Sequence, residues 1–273
     1  VVTAIKIMLV GDTHGSIRSI KPKIERAADL GIQKILQVGD FGLWTHAFDG
    51  QVFLDEVQRL AAEAQLTVHA IGGNHENWDH WEWAVNNYPT SNGWGMVRSR
   101  IALAPRVHHW TWNHKKFVSA GGAVSVDKEW RLQKEAGKFV DITGQRHKAT
   151  GPRTLYWPNE EFTDNDVHKI RMLGKKADYL ITHDCSNNTP WQARLKNDPD
   201  SERHRRRIDE VIRLTNPGLH FHGHMHTKYD WINFAGETNG KPIYVQTYGL
   251  ENDQEFWSYG ILDTDTDEFI WRG

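Results

Sequence analysis

The chain has 273 residues, with 33 basic against 35 acidic side chains and a formal net charge of −2 when histidine is neutral. That balance argues against a protein whose first business is coating a polyanion, and no apolar run approaches the roughly 18 residues of a membrane span. A single cysteine, Cys185, excludes an intramolecular disulfide and predicts a reducing compartment. The cytoplasm is the expected location, because the opening VVTAIKIMLV is too short for a signal peptide and lacks its basic flank. Two residue types are in excess. Sixteen histidines suggest metal or proton chemistry, and thirteen tryptophans suggest large flat contacts.

The predicted elements begin with a strand over Ile5–Val10, a periodic helix over Ile17–Leu30, a strand over Ile35–Val38, a helix over Ala47–Ala64 and a strand over Leu66–Ile71. This is the start of an α/β fold with a parallel sheet. The alternation of VHHWTW and KKFVSA around Asn113-His114 predicts a hairpin over 107–120. Residues 127–165 are polar, with turn signals at Gly137, Gly144, Gly151-Pro152 and Pro158, and read as an insertion or cap. A helix over Asn165–Lys176, a strand over Asp178–Thr182 and a charged helix over Ser201–Leu214 follow. Strands are then expected at Leu219–His222, Tyr229–Phe234, Pro242–Thr247, Trp257–Leu262 and Phe269–Trp271. No Gly/Pro/Ser-rich linker divides the chain, so one domain over 1–273 is expected.

The chemistry gathers where predicted strands end. The first strand runs into Gly11-Asp12-Thr13-His14-Gly15, the second into Gly39-Asp40, and the third into Gly72-Gly73-Asn74-His75-Glu76. Later strands add Thr182-His183-Asp184 and His222-Gly223-His224-Met225-His226. Ligands of open α/β sheets bind beyond the carboxyl ends of the strands, so these turns should converge on one crevice. The set Asp12, His14, Asp40, Asn74, His183, His224 and His226 is too large for one tetrahedral zinc and suits two metals bridged by a carboxylate. The adjoining glycines allow backbone close to such a site.

GDTHG, GD, GNHE, a lone histidine after a strand and GHMH, in that order over residues 11–226, resemble the calcineurin-like metallophosphoesterase superfamily. The resemblance implies a four-layer αββα sandwich, two mixed sheets face to face with helices outside and a dinuclear centre at one edge. Asp12, His14 and His226 would then hold one metal, Asn74, His183 and His224 the other, and Asp40 would bridge. The pair would share a hydroxide aimed in line with the leaving oxygen. His75 would act as general acid or transition-state stabiliser. Mn²⁺ is the metal the resemblance favours, with Fe, Zn²⁺, Ni²⁺ and Co²⁺ as alternatives.

Other residues have plainer readings. His46, His69, His80, His168 and His204 are expected to be ordinary surface or packed residues, and His220 and His222 to belong to the strand before GHMH. Cys185, without a partner cysteine, reads as a bystander. Glu76 is expected to cap the following helix, or else to orient His75. Trp44, Trp78, Trp81 and Trp83 lie close to the catalytic turns. Tryptophans spaced by three on a helix ordinarily pack a core, but an aromatic wall for a nucleobase or aryl group is the functional alternative. The basic runs at Arg203, Arg205, Arg206 and Arg207, and at Arg146, Lys148 and Arg153, read as solvated surface, with a lid as the alternative for the second. Trp44, Trp78 and Arg131 are the candidate substrate contacts.

Serine/threonine protein phosphatases of the superfamily carry an arginine before GNHE and the block GDxxDRG. Here a glycine stands in the first place, and the second reads Gly39-Asp40-Phe41-Gly42-Leu43-Trp44. A phosphomonoester dianion benefits from bidentate arginine clamps more than a diester monoanion does. The expected activity is therefore a phosphodiesterase acting on a nucleotide, a cyclic nucleotide or a nucleic-acid end. A phosphomonoesterase or phosphoprotein phosphatase using another arginine, such as Arg131 or Arg153, is the alternative. A non-catalytic scaffold of the same fold is a third reading, against which the retained ligand set stands. Nothing in the sequence assigns an oligomeric state.

Overall fold

The computed structural model describes residues 5–137, 139–140, 146–147, 155–190, 198–238, 240–254 and 259–272. The N-terminal half runs β1 (Lys6–Val10), α1 (Ile17–Asp29), β2 (Lys34–Gln37), α2 (Phe48–Glu63), β3 (Thr67–Ala70), α3 (Trp78–Asn87), β4 (Gly95–Arg98), β5 (Ile101–Leu103), β6 (Val107–Trp112) and β7 (Lys115–Ala120). Then come α4 (Lys128–Glu135), the short pair β8 (Phe139–Val140) and β9 (Arg146–His147), a 3₁₀ turn at Pro158–Glu160, α5 (Asp164–Leu173), β10 (Tyr179–Thr182) and α6 (Pro199–Thr215). The chain closes with β11 (Leu219–His222), β12 (Tyr229–Thr238), β13 (Lys241–Gly249), β14 (Tyr259–Asp263) and β15 (Glu268–Trp271).

Two mixed sheets result, in the orders β15-β14-β1-β2-β3-β5-β4 and β12-β13-β11-β10-β7-β6. Strands β1, β2, β3 and β5 are mutually parallel, as are β7, β10, β11 and β13, with antiparallel strands at the margins. The central strands are apolar on both faces because each sheet is covered on both sides. Ile7 and Leu9 of β1 point into a core shared with Phe117, Tyr179, Ile181 and Phe221 of the other sheet. Met8 and Val10 point the opposite way, toward Ile20 and Ile24 of α1 and Phe53, Leu54 and Val57 of α2. On the far side, Val118 and Leu180 meet Ile208, Val211 and Ile212 of α6. Helix, sheet, sheet and helix therefore form four layers around three apolar seams.

The β6–β7 hairpin turns at Asn113 and His114, both with positive φ (46° and 63°), the two-residue loop whose twist matches antiparallel strands. Strands β4 and β5, helix α4, the 3₁₀ turn and the β8–β9 pair go beyond the sequence reading. Helix α3 and strands β4 and β5 fill residues 78–103, where β4 and β5 are too short for alternation to show. Within the polar stretch 127–165, α4 and the 3₁₀ turn are regular, and Tyr156, Trp157 and Phe162 are buried. The side chains of the basic group Arg146, Lys148 and Arg153 lie outside the described residues. Among the described residues, no helix is long and apolar enough to cross a membrane.

Candidate metal centre

Loops following β1, β2, β3, β10 and β11 meet at one edge of the paired sheets, and each delivers polar side chains into the same crevice. Ligand atoms of Asp12, His14 and His226 lie within 4.8 Å of one another, and so do those of Asp40, His183 and His224. Asp40 joins the two groups, with Oδ2 3.3 Å from His14 Nε2 and Oδ1 3.3 Å from His183 Nε2. His226 Nε2 stands 3.1 Å from Asp12 Oδ2, and His183 Nε2 3.0 Å from Asn74 Oδ1. All seven ligand candidates of the sequence are thus gathered. His75 lies beside them, its ring centroid 5.6 Å from that of His14.

The backbone carries strain at these positions. His14, Asp40, His224 and His226 have φ of 43°, 53°, 63° and 50°, a left-handed geometry costing non-glycine residues about 1 kcal/mol or more each. Such strain persists where surrounding contacts over-determine the loop. Asp40 supplies them: its carbonyl accepts from the N–H groups of Thr13 and His14, and its carboxylate from the N–H of His75 at 2.8 Å. Gly39 is needed for a separate reason. Its φ is 111°, and a Cβ there would sit 2.0 Å from His183 Nδ1.

Neighbouring groups aim the ligands. His183 Nδ1 faces the Val38 carbonyl at 3.0 Å, which leaves Nε2 toward Asp40 and Asn74. Asn74 donates through Nδ2 to Ser125 Oγ at 2.9 Å, so its Oδ1 faces His183. His14 Nδ1 is 3.0 Å from Asp253 Oδ1. Ser125 and Asp253 went unnoticed in the sequence because neither sits in a motif. Asp253 follows β13, whose carboxyl end lies at the same edge, and that position is the signal that could have found it.

Electrostatics match a cation site. Asp12 and Asp40 are each 1% exposed, and among the described residues no lysine or arginine pairs with either. Buried carboxylates are ordinarily paired or bound to metal. Burial alone would lower His14 and His183, but Asp40 and Asp12 raise them to about 9 and about 10. Asp40 is held well below the usual carboxylate range despite its burial, by His183, His75 and His14. His224 is pushed down to about 4, by burial first. Two carboxylates, an amide oxygen and four imidazoles in two linked groups fit a pair of divalent ions.

The remaining candidates divide. Trp44 lines a cavity beside His75. Trp78 does not: it is fully buried beneath the Gly72-Gly73 turn, with Nε1 donating to the Gly73 carbonyl at 2.9 Å and the Arg106 guanidinium 3.7 Å from its ring centroid. The substrate-contact reading of Trp78 is therefore corrected to a buttress, and Trp81 is likewise buried, with Nε1 on the Ala104 carbonyl. Trp83 is exposed on α3, away from the ligand cluster, packing on His80 and Tyr88. Arg131 reaches the cavity wall but is 3% exposed, bound by Asp127, Glu160, Ser125 Oγ and the Leu155 carbonyl. Glu76 neither caps α3 nor orients His75. Asn77 caps the helix by accepting from the His80 N–H, and Glu76 accepts from the N–H groups of Phe41, Gly42 and Leu43. It thereby ties the Asn74-His75 turn to the loop after Asp40. Burial and nearby Asp40 push Glu76 up to about 7, against those backbone donors. Cys185 is buried and its thiol is pushed well up, mainly by burial, which leaves it inert.

The calcineurin-like phosphoesterase family model matches residues 5–228. The chain belongs to that family. It is a hydrolase of phosphoric esters, and the family's dinuclear metal requirement agrees with the ligand cluster of this phosphoesterase. Two solved structures superpose on nearly its whole length. TT1561 of Thermus thermophilus is 15% identical, with a TM-score of 0.55 over 98% of this chain and 97% of the other. A dimetal phosphatase from Danio rerio is 12% identical, with a TM-score of 0.54 over 94% and 92%. At such identities the likeness is one of fold. No curated protein sequence matches the chain.

Proposed function

We propose that this phosphoesterase is a metal-dependent phosphodiesterase acting on a nucleotide, a cyclic nucleotide or a nucleic-acid end. One observation carries the choice of diester over monoester. The guanidinium that reaches the cavity beside His75, Arg131, is 3% exposed and already paired with Asp127, and further N–H groups are taken by Ser125 Oγ, Glu160 and the Leu155 carbonyl. It has no free face for the second charge of a phosphomonoester dianion, whereas a monoanionic diester needs no such clamp.

Asp12, His14 and His226 would hold one ion, and Asn74, His183 and His224 the other, with Asp40 between them. When bound, the pair supplies Lewis-acid charge for the phosphoryl oxygens and for activating a water. Mn²⁺ is the proposed ion, since an imidazole and oxygen donor set accepts it; Fe, Zn²⁺, Ni²⁺ and Co²⁺ suit the same donors. The protein's own groups supply the rest. As the bond from water oxygen to phosphorus forms, the bond from phosphorus to the leaving oxygen breaks, and His75 delivers a proton to that oxygen. His75 is clamped for this task at both backbone ends. Its N–H donates to Asp40 Oδ1 at 2.8 Å, and its carbonyl accepts from Trp44 Nε1 at 2.6 Å. Burial lowers the imidazole's pKa, with Asp40 opposing. The lone buried thiol supports a reducing, cytoplasmic setting.

The test is a Mn²⁺-loaded panel of bis-aryl and mono-aryl phosphates, 2′,3′- and 3′,5′-cyclic nucleotides, short RNA and DNA, and a phosphopeptide. Higher kcat/KM on bis-aryl than on mono-aryl phosphate is expected; the reverse order overturns the diester reading. Full turnover under chelator would remove the metal requirement.

A further inference from the structure

A cavity of about 300 Å³ opens beside His75, lined by Trp44, His46, Trp130, Arg131 and Trp157 among others. That volume is at the lower end of small-molecule sites. Its aromatic residues come from two separate parts of the chain. Trp44 belongs to the loop after Asp40, and Trp130 and Trp157 to the polar stretch after residue 127.

Trp44 is held in place before any ligand arrives. Its Nε1 is anchored on the carbonyl of His75, and one part of its ring lies against Gly15, where an added Cβ would come within 2.9 Å of it. Trp157 is 2% exposed and belongs to the apolar seam under α1 and α2, so it forms a fixed floor, with the His46 ring 5.3 Å away. Trp130 stands at the mouth on α4, 40% exposed, with Lys134 Nζ 4.7 Å from its ring centroid. Rigid aromatic walls bind flat rings at low entropic cost. Arg131 is 3% exposed and paired with Asp127, which also lines the cavity, so its guanidinium presents no free charge to an ionised group.

We propose that this cavity is the leaving-group subsite and takes a flat, uncharged aromatic ring, a nucleobase or an aryl group, carried on the oxygen that departs toward His75. The inference rests on the reading of His75 as the group facing the leaving oxygen. It assigns Trp44, Trp130 and Trp157 as specificity determinants, and it makes the stretch after residue 127 part of substrate selection.

The experiment is calorimetric titration of the full chain, with and without Mn²⁺, using adenosine, 4-nitrophenol and cyclohexanol as probes, on wild type, Trp130→Ala and Trp130→Phe. At least one aromatic probe should bind about tenfold or more tightly than cyclohexanol, lose about tenfold or more on Trp130→Ala, and recover on Trp130→Phe. It should also inhibit hydrolysis competitively. Adenosine binding assigns the subsite to nucleobases, and binding of 4-nitrophenol alone assigns it to aryl groups. Absence of binding by both rings, no preference over cyclohexanol, or affinities unchanged in Trp130→Ala would overturn the proposal. The two readings fail separately. A monoester preference with ring binding intact removes the diesterase and leaves the subsite; a diester preference with ring binding absent does the opposite.

Discussion

Two regions of the molecule gather histidines beneath the surface, and they do opposite things with them. At the crevice, His14 and His183 share their burial with Asp12 and Asp40 and are raised to about 9 and about 10. Between the sheets, His69 and His108 are buried among Trp94, Trp110 and Trp112 and are lowered to about 3 and about 4, chiefly by burial. In that second region His69 Nδ1, His108 Nε2, Trp94 Nε1 and Trp110 Nε1 lack hydrogen-bond partners among the described residues. Burial penalises charge in both places, and at the crevice carboxylates reverse the outcome for His14 and His183, whereas His224 stays lowered. Enrichment in histidine therefore reports a functional site only where acids share the same buried space.

The largest expected effect is at the residue joining the two ligand groups. Asp40→Asn should abolish nearly all Mn²⁺-dependent turnover and the higher-affinity phase of metal binding; activity near wild type would show that Asp40 does not bridge. His75→Ala should keep metal binding in calorimetry while losing about 10²–10⁴-fold in kcat, the range of a general acid. Loss of metal with rate would instead make His75 a ligand. Asp253→Ala removes the carboxylate that orients His14 and should weaken Mn²⁺ binding by about 10–100-fold; unchanged affinity would reduce Asp253 to a surface residue.

The interior region offers the last test, where the effect per pH unit is small. A histidine whose pKa is lower in the folded state favours folding fully above its unfolded pKa, and this contribution is lost as pH falls. For His69 the window runs from its ordinary 6.5 down to about 3. Over it, metal-free wild type should lose about tenfold in its folding equilibrium constant per pH unit relative to His69→Phe, the signature of one proton. Equal slopes in denaturant titrations would place His69 in contact with water.

The candidate ligand set was legible because each member lies just beyond a strand end, five of the seven beside a glycine, and strand ends are visible as apolar runs that stop. The Trp44 to Trp83 group was not separable in the same way. Trp44 and Trp78 both adjoin catalytic turns, but Trp78 begins a helix whose inward face it shares with Trp81, and the spacing did not say which way that face turns. Trp130 and Trp157 sit in a polar stretch that reads as loop. Their meeting with Trp44 is long-range in the chain and leaves no local pattern. Ser125 and Asp253 were hidden for the same reason, since a hydrogen bond to a ligand has no characteristic spacing.

By itself, the sequence determined the α/β start, the hairpin at Asn113-His114, the family and the candidate ligand residues, because period, turn chemistry and motif order are local properties of a chain. Only the tertiary structure decided which histidines share space with acids, that Glu76 serves the loop after Asp40 rather than a helix cap, and that Arg131 is buried and paired with Asp127. It also decided which of the described tryptophans face the cavity. Each of these depends on what residues far apart in the chain exclude from water together, and that follows from how the two sheets and their connecting loops pack.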